Sequence, residues 1–323
     1  MKKIKILGLI TQFLKLPTVG PLIALLLACV FFYTQTDRFL DGNNLSLIVQ
    51  QVMVVGTLAI GQTLIILTKG IDLSNGMIMA FAGITMTKLA VVSGIDPILA
   101  TTIGISAGAL FGFFNGALVT WVKLPPFIVT LGTLNIAFAL TRIYSTQSIV
   151  NLPDFQIVLG NTFTFLNTKI AYGTIVMIAL YFIVWYILSQ TPIGRHIYAL
   201  GDNSETARLT GIRTNRLLLL IYTIAGFFYG LAALLLVART NVGDPQAGQT
   251  ANLDSITAVV LGGTSLFGGR GSIIGTLIGA LIVGVFRNGL QLMGVSSIYQ
   301  VLITGILVII AVTVDQFSRD SQS

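Results

Sequence analysis

Charge is what this chain has least of. Asp, Glu, Lys and Arg together make up 9% of its 323 residues, against 54% hydrophobic residues. A soluble domain needs far more charge than this to cover its surface, and the mean hydropathy of +0.91 points the same way. The scarcest types occur once each: Glu205, His196 and Cys29. A single cysteine excludes a disulfide within one chain and a multi-cysteine metal site. No G-x-x-x-x-G-K-[ST] phosphate loop is present, so ATP binding by that route is excluded. The net charge of +7 comes with no basic face and no aromatic binding module, which argues against nucleic acid as a partner.

What is present is a series of apolar runs of membrane-crossing length, about 20 residues each. They predict spans over 17–35, 45–68, 77–93, 98–122, 127–144, 170–188 and 217–238, a short one at 254–266, then 272–292 and 297–314. The chain reads as an all-α polytopic membrane protein of about ten helices. It divides into an N-terminal tail (1–16), one transmembrane domain (17–316) and a short C-terminal tail (317–323). With the N-terminus in the cytoplasm, Lys2, Lys3, Lys5, Lys15, Lys69, Lys123, Arg195, Arg208, Arg213, Arg216, Arg270 and Arg319 fall on or near the inner side. Arg38, Lys88, Arg142, Lys169, Arg239 and Arg287 fall outward or within spans. The bias is 12 to 6 among 18 basic residues, and it favours both termini inside. Leu26-Leu27-Ala28-Cys29 resembles a lipoprotein cleavage box, but the apolar run continues through Val30-Phe31-Phe32, which reads as a retained anchor.

Two stretches interrupt the helical pattern: LTKGIDLSNGMIMAFAG (67–83) and VVLGGTSLFGGRGSIIGTLIGA (259–280). Unwound backbone is expensive in lipid and persists where it faces a cavity or other protein. Paired breaks suggest an internal repeat around a transport pathway; close helix packing through small residues is the other reading. Asp72, in the first break, is the carboxylate placed nearest the membrane interior. It reads chiefly as a cap for the following helix, with a functional-site role as the alternative.

Much of the polar chemistry sits in one connection, GRHIYALGDNSETARLTGIRTNR (194–216). Gly201-Asp202-Asn203 is a turn signal, and Asp202 or Asn203 can cap a short helix from Ser204 to Thr210. Gly211 is placed to end that helix in a left-handed cap. Glu205 and Arg208, three apart, share a face. So short a helix gains little from its own hydrogen bonds. It is either a rigid knob held for a partner or an ordinary solvated connector rich in arginine.

These residues carry a resemblance. Glu205-Thr206-Ala207 followed by Gly211 resembles the EAA-x-x-x-G loop of bacterial ABC importer permeases. The run TPIGRHIYALGDNSETARLTGI (191–212) is similar to the ribose-type sugar permeases in particular. LTKGIDLSNG (67–76), PPFIVTLGT (125–133), LDSITAVVLGGTSLFGGRGSIIGTLIGA (253–280) and GVSSIYQVLITGILVIIAVTVD (294–315) agree in order, so the resemblance covers nearly the whole chain. The sequence departs from the pattern at Thr206, where alanine is usual, and at Asn75 and Phe267.

The resemblance implies a type II importer-like permease that works by alternating access: two copies, or a paralogue pair, around a pore. ATPase subunits would bind at the cytoplasmic face and a periplasmic sugar-binding protein outside. No cofactor or metal would be held by this chain, ATP and Mg²⁺ belonging to the ATPase, and the chain would not be an enzyme. Its place would be the bacterial inner membrane. The ATPase-coupling loop would comprise Gly194, Arg195, Gly201, Asn203, Glu205, Ala207, Arg208 and Gly211, with Ala207 permitting close approach of the partner. Arg195 is equally suited to lipid headgroups. A neutral sugar asks for amides, hydroxyls and aromatic faces rather than strong charge. The pathway candidates are therefore Gln62, Thr63, Asp72, Ser74, Asn75, Asn115, Phe127, Thr130, Thr133, Asn135 and Thr264. Hydrogen bonding between helices is the competing role for most of them. A permease for branched-chain amino acids and an ion-coupled carrier are the rival readings; GIDLS and GGTSLFGGRGS favour the sugar class.

Overall fold

The computed structural model describes residues 18–165 and 168–320, with the side chains of 311, 314, 315 and 317–320 left aside. The predicted tail over 1–16, with its four lysines, and the last three residues lie outside the described residues. Each predicted span falls on a helix: α1 (Val19–Gln35), α2 (Gly42–Leu67), α3 (Asn75–Val91), α4 (Pro97–Thr120), α5 (Pro126–Tyr144), α7 (Tyr172–Gln190), α10 (Thr214–Thr240), α11 (Ala251–Leu261), α12 (Ile273–Leu292) and α13 (Ser297–Asp320). Six of these, α2, α4, α5, α7, α10 and α12, are long and apolar enough to cross a bilayer alone. α1, α3, α11 and the Ser297–Ile310 part of α13 are shorter apolar helices.

The all-helical reading misses one element. Between α5 and α7 lie a short helix, α6 (Asp154–Ile157), a 3₁₀ turn (Val158–Gly160) and an antiparallel hairpin, β1 (Thr162–Phe165) with β2 (Thr168–Ala171). The alternating Thr-Phe-Thr-Phe of β1 has the period of a strand, too short to register against the apolar runs around it. Two further helices, α8 (Pro192–Asp202) and α9 (Ser204–Leu209), follow α7.

α2, α10 and α12 are mostly buried, whereas α4, α5 and α7 expose most of their apolar surface. α10 packs on α4 along a glycine seam. An added Cβ at Gly108 would lie 2.6 Å from the Gly226 carbonyl oxygen, and one at Gly112 would run into the carbonyl oxygen of Tyr222. Glycines four apart let the two backbones touch, which in lipid supplies the dispersion and close contact that hydrophobicity cannot. α2 contacts α10 on one side and α12 and α11 on the other, so it forms the axis of the bundle.

α2 ends and α10 begins at the α8–α9 end of the molecule. Around the opposite end, Asn44 near the start of α2 exchanges hydrogen bonds of 2.8–2.9 Å with Asn288 near the end of α12. There too Ile149 pairs with Gly243. The chain after α10 then turns back towards the middle. Residues 241–250 form no helix, and by Gly248 the backbone is packed on that of Gly76 at the start of α3. α11 therefore starts part-way down the bundle and runs towards the α8–α9 end.

Candidate functional site

α8 begins at Pro192, whose missing N–H costs nothing in a first turn, with Thr191 Oγ1 accepting from Gly194 N at 3.4 Å. Gly194, Ile197, Leu200 and Gly201 face inward and Arg195 and His196 face out, the spacing of an amphipathic surface helix. The turn expected at Gly201-Asp202-Asn203 begins only at Asn203, because α8 continues through Asp202. Asn203 is the cap of α9: its Oδ1 accepts from Glu205 N (3.1 Å) and Thr206 N (3.0 Å). At the other end Gly211 takes φ 91°, and Ile212 N reaches back to Ala207 O at 3.1 Å. This is the left-handed C-terminal cap the sequence predicts.

Arg208 makes a two-pronged contact to Glu205, Nε to Oε2 at 3.1 Å and Nη2 to Oε1 at 2.6 Å. The hydrogen bond and charge of Arg208 hold the Glu205 carboxyl below the usual glutamate range, so it is ionised at neutral pH. Thr206 and Leu209 are exposed beside the pair, Leu209 at 74%. Ala207 is 3% exposed and faces its own chain, not the surface. Its smallness lets α9 sit down on α8 and α10, which corrects the expectation that it makes room for a partner.

The end of α8 rests on both breaks at once. Lys69, at φ 64° just past α2, donates from Nζ to the carbonyl oxygen of Asp202 at 2.6 Å. Gly269 N donates to Leu67 O at 3.0 Å, joining the glycine-rich turn to the end of α2. Tyr198 OH donates to Gly271 O at 3.0 Å. Gly201 is the point of closest approach, for a Cβ there would strike the Leu67 carbonyl oxygen and lie 2.6 Å from Gly269 N. Gly194 is likewise wedged against the backbone of Ile187 and Leu188. Sequence reading placed these glycines in a coupling loop; the structure makes them the seat of that loop on the bundle.

Six pathway candidates meet around the first break. Asp72 Oδ1 accepts from Ser74 N (2.8 Å) and Ser74 Oγ (2.5 Å), capping the entry to α3. Asn115 Nδ2 donates to Ser74 Oγ at 3.1 Å. Asn75 Nδ2 bridges Gln62 Oε1 and Ser255 Oγ, both at 2.9 Å. Thr130 Oγ1 donates to Ile71 O at 3.0 Å. All six side chains are fully buried, and together they tie α2, α3, α4, α5 and α11. Thr63 pairs with Thr276 at 2.8 Å and Thr133 bonds its own helix. Thr264 is buried in the glycine-rich turn. Phe127 and Asn135 stand apart on the exposed face of α5, Asn135 bonding back to Leu131 O at 3.0 Å.

Asp72 is not the only carboxylate within the bundle. Asp254, on α11, is 7% exposed and accepts from Arg287 Nη1 of α12 at 2.8 Å. The predicted span 254–266 only begins at Asp254, and the sequence points to Asp72 alone as a carboxylate near the membrane interior. A polar run, NVGDPQAGQT (241–250), lies just before that span. The structure folds that run inward and takes Asp254 with it. Gly243, Pro245 and Gly248 within ten residues were the available signal of irregular backbone. Among the described residues no cluster of three or more His, Cys, Asp or Glu could hold a metal ion.

Comparison with known proteins adds to this geometry. Residues 44–312 match the family described as branched-chain amino acid transport system / permease component. The chain is 44% identical over 310 residues to the fructose import permease protein FrcC of Rhizobium meliloti, covering 94% of this chain and 86% of that one. It is 39% identical to the ribose import permease protein RbsC of Bacillus subtilis (strain 168), covering 92% of each. It is 36% identical to the D-allose transport system permease protein AlsC of Escherichia coli (strain K12), covering 90% of this chain and 89% of that one.

Proposed function

Since the chain belongs to the branched-chain amino acid transport system / permease component family, we propose that it is the membrane-spanning permease subunit of an ATP-binding-cassette importer for a pentose or hexose. The observation that carries this reading is the identity with fructose, ribose and allose permeases along 90–94% of the chain. Those names also favour a monosaccharide over a branched-chain amino acid.

In this reading the permease works in the bacterial inner membrane with both termini in the cytoplasm, as a pair of copies, its ten apolar helices all embedded. A separate ATPase, holding ATP and Mg²⁺, docks on α8 and α9, and a periplasmic sugar-binding protein docks at the opposite end. The exposed Glu205–Arg208 pair and Leu209 form the knob that the ATPase grips, and Arg195 lies near the headgroups. The seat of α8 on Leu67, Lys69 and Gly269 supports a mechanical route: a displacement of α9 is passed to both breaks together. Transport is then a change between two arrangements of the bundle, driven by a partner that binds one better than the other.

The test is uptake by vesicles reconstituted with permease, ATPase and binding protein. Sugar accumulation should require all three and ATP. Uptake that persists without ATP or without the binding protein would sink the importer reading. Glu205→Gln and Gly211→Val should leave docking of the binding protein intact and lower sugar moved per ATP hydrolysed.

A further inference from the structure

A cavity of about 570 Å³ opens in the half of the bundle away from α8 and α9, and a second of about 380 Å³ adjoins it between α11, α12 and α13. Both share Gly248, Asp254 and Arg287 as wall residues. The larger is of small-ligand size. None of the six clustered pathway candidates lines it, nor do Phe127 or Asn135.

One wall is the non-helical run 241–250. Unwound backbone at such depth is tolerated where it borders a water-filled cavity, so the presence of this run inside the bundle and the presence of the cavity have one cause. α11 starts from the floor of the cavity, as the half-helices of transporters do at their binding sites.

The polar lining is unusually rich for this chain. Arg239, Asp244, Asp254, Arg287, Gln51 and Gln291 all face the space. Two arginines balance two carboxylates, so the cavity carries no net charge to hold an anion or a cation. Asp254 is 7% exposed and fixed by Arg287, while the Arg287 side chain remains 49% exposed, with donors left to offer. Arg239 has no carboxylate partner among the described residues. Gln51 Oε1 is buried with no hydrogen-bond partner. A buried acceptor left unmade costs free energy that an arriving O–H would recover.

From this we infer that the cavity is a solute-binding station for a neutral polyhydroxylated molecule, with Arg239, Arg287 and Asp254 as the charged hydrogen-bonding groups and Gln51 as an additional acceptor. Each sugar hydroxyl both donates and accepts, so an alternation of guanidinium, carboxylate and amide matches adjacent hydroxyls without net charge. The inference rests on the sugar reading above and adds to it the place where the permease itself touches the sugar. Paired charges within membrane-spanning segments are costly and mark solute pathways. Here they replace the uncharged lining that the sequence alone suggests.

The test uses the reconstituted complex at saturating binding protein. Uptake of the imported sugar is compared with uptake of those monodeoxy analogues that the binding protein still carries. Arg239→Gln and Gln51→Ala leave the Asp254–Arg287 pair in place, and Asp254→Asn keeps its size. The parent sugar should enter about tenfold more slowly in Arg239→Gln, and at least one deoxy analogue should lose its disadvantage, while binding-protein-stimulated ATP hydrolysis is retained. A site built to bond a hydroxyl penalises the analogue lacking it, and removing the partner removes the penalty. Unchanged rates and unchanged discrimination in all three variants overturn the inference. An equal fall for parent and analogues also overturns it, assigning these residues to helix packing alone. Wild-type vesicles that import no monosaccharide overturn the sugar reading and the inference with it; wild-type vesicles that import sugar, with unaltered variants, overturn the inference alone.

Discussion

Single atoms decide what Asp72 is for. Its Oδ1 takes the Ser74 amide and hydroxyl, the work of a cap, and an asparagine carries the same acceptor. Asp72→Asn should therefore fold, assemble and transport, whereas Asp72→Leu should cost about 1–3 kcal/mol by stranding the Ser74 N–H; thermal unfolding in detergent reads the difference. A folded Asp72→Asn complex with normal ATPase stimulation and no uptake would move Asp72 from cap to pathway. Asn203 is a second such atom. Asn203→Ala should weaken α9 by about 1 kcal/mol, visible as about fivefold faster amide exchange at Glu205 and Thr206. Glu205 follows the sign of a lowered carboxyl. Whatever its pairing contributes is complete above the ordinary glutamate range and is lost only as pH falls through the lowered value. Uptake should accordingly show no step attributable to Glu205 between about pH 6 and 8, and a Glu205-dependent step there in a pH profile would contradict the assignment. Thr206 is exposed, so restoring alanine there should leave the unfolding temperature unchanged.

Among elements, α8 is the one seated on both breaks, against the end of α2 and the glycine-rich turn. Gly201→Ala forces a methyl group towards the Leu67 carbonyl and Gly269 N, an overpacking that costs about 1–3 kcal/mol. The expected result is a permease that still binds the ATPase but moves less sugar per ATP; equal coupling in Gly201→Ala would separate α8 from the breaks. The α9 helix was legible in the sequence because its signals are local: an amide at the N-cap, a charged pair three apart and a glycine at the end. α8 was not, since its apolar face is only Ile197, Leu200 and two glycines, and glycine carries no hydropathy signal. The descent of 241–250 was hidden for the opposite reason. Its polar residues look like a loop in water, and only the packing of Gly248 on Gly76 shows that this backbone lies inside the bundle.

For the molecule as a whole, the order and type of the ten apolar helices could be read from runs of hydrophobic residues alone, because that signal is additive along the chain. Which of them line a cavity depends on how they meet, and no single run encodes that. Gln62, Ser74, Asn75 and Asn115 illustrate the point: they were found by residue type, and the structure joins them, but as a buried network tying five helices. Orientation is testable with the lone cysteine removed. On a Cys29→Ser background, His196→Cys should react with a membrane-impermeant thiol reagent only from the cytoplasmic side, and Ser148→Cys only from the other. Reaction of both from one side would refute the arrangement proposed for the two ends.

The brevity of α11 bears on how the protein is made. Eleven residues, one of them an aspartate, are too few to span a bilayer and too polar to be held there by their own transfer energy. Nor does the preceding stretch help, because 241–250 has no helix of its own to insert. α11 can enter only in company, with α12 following it through the glycine-rich turn and Arg287 arriving to neutralise Asp254. Burial of Asp254 and its pairing with Arg287 would then be one event during biogenesis. A nascent chain cut off before Arg287 should leave α11 at the membrane surface, accessible to modification, until the rest of α12 is supplied.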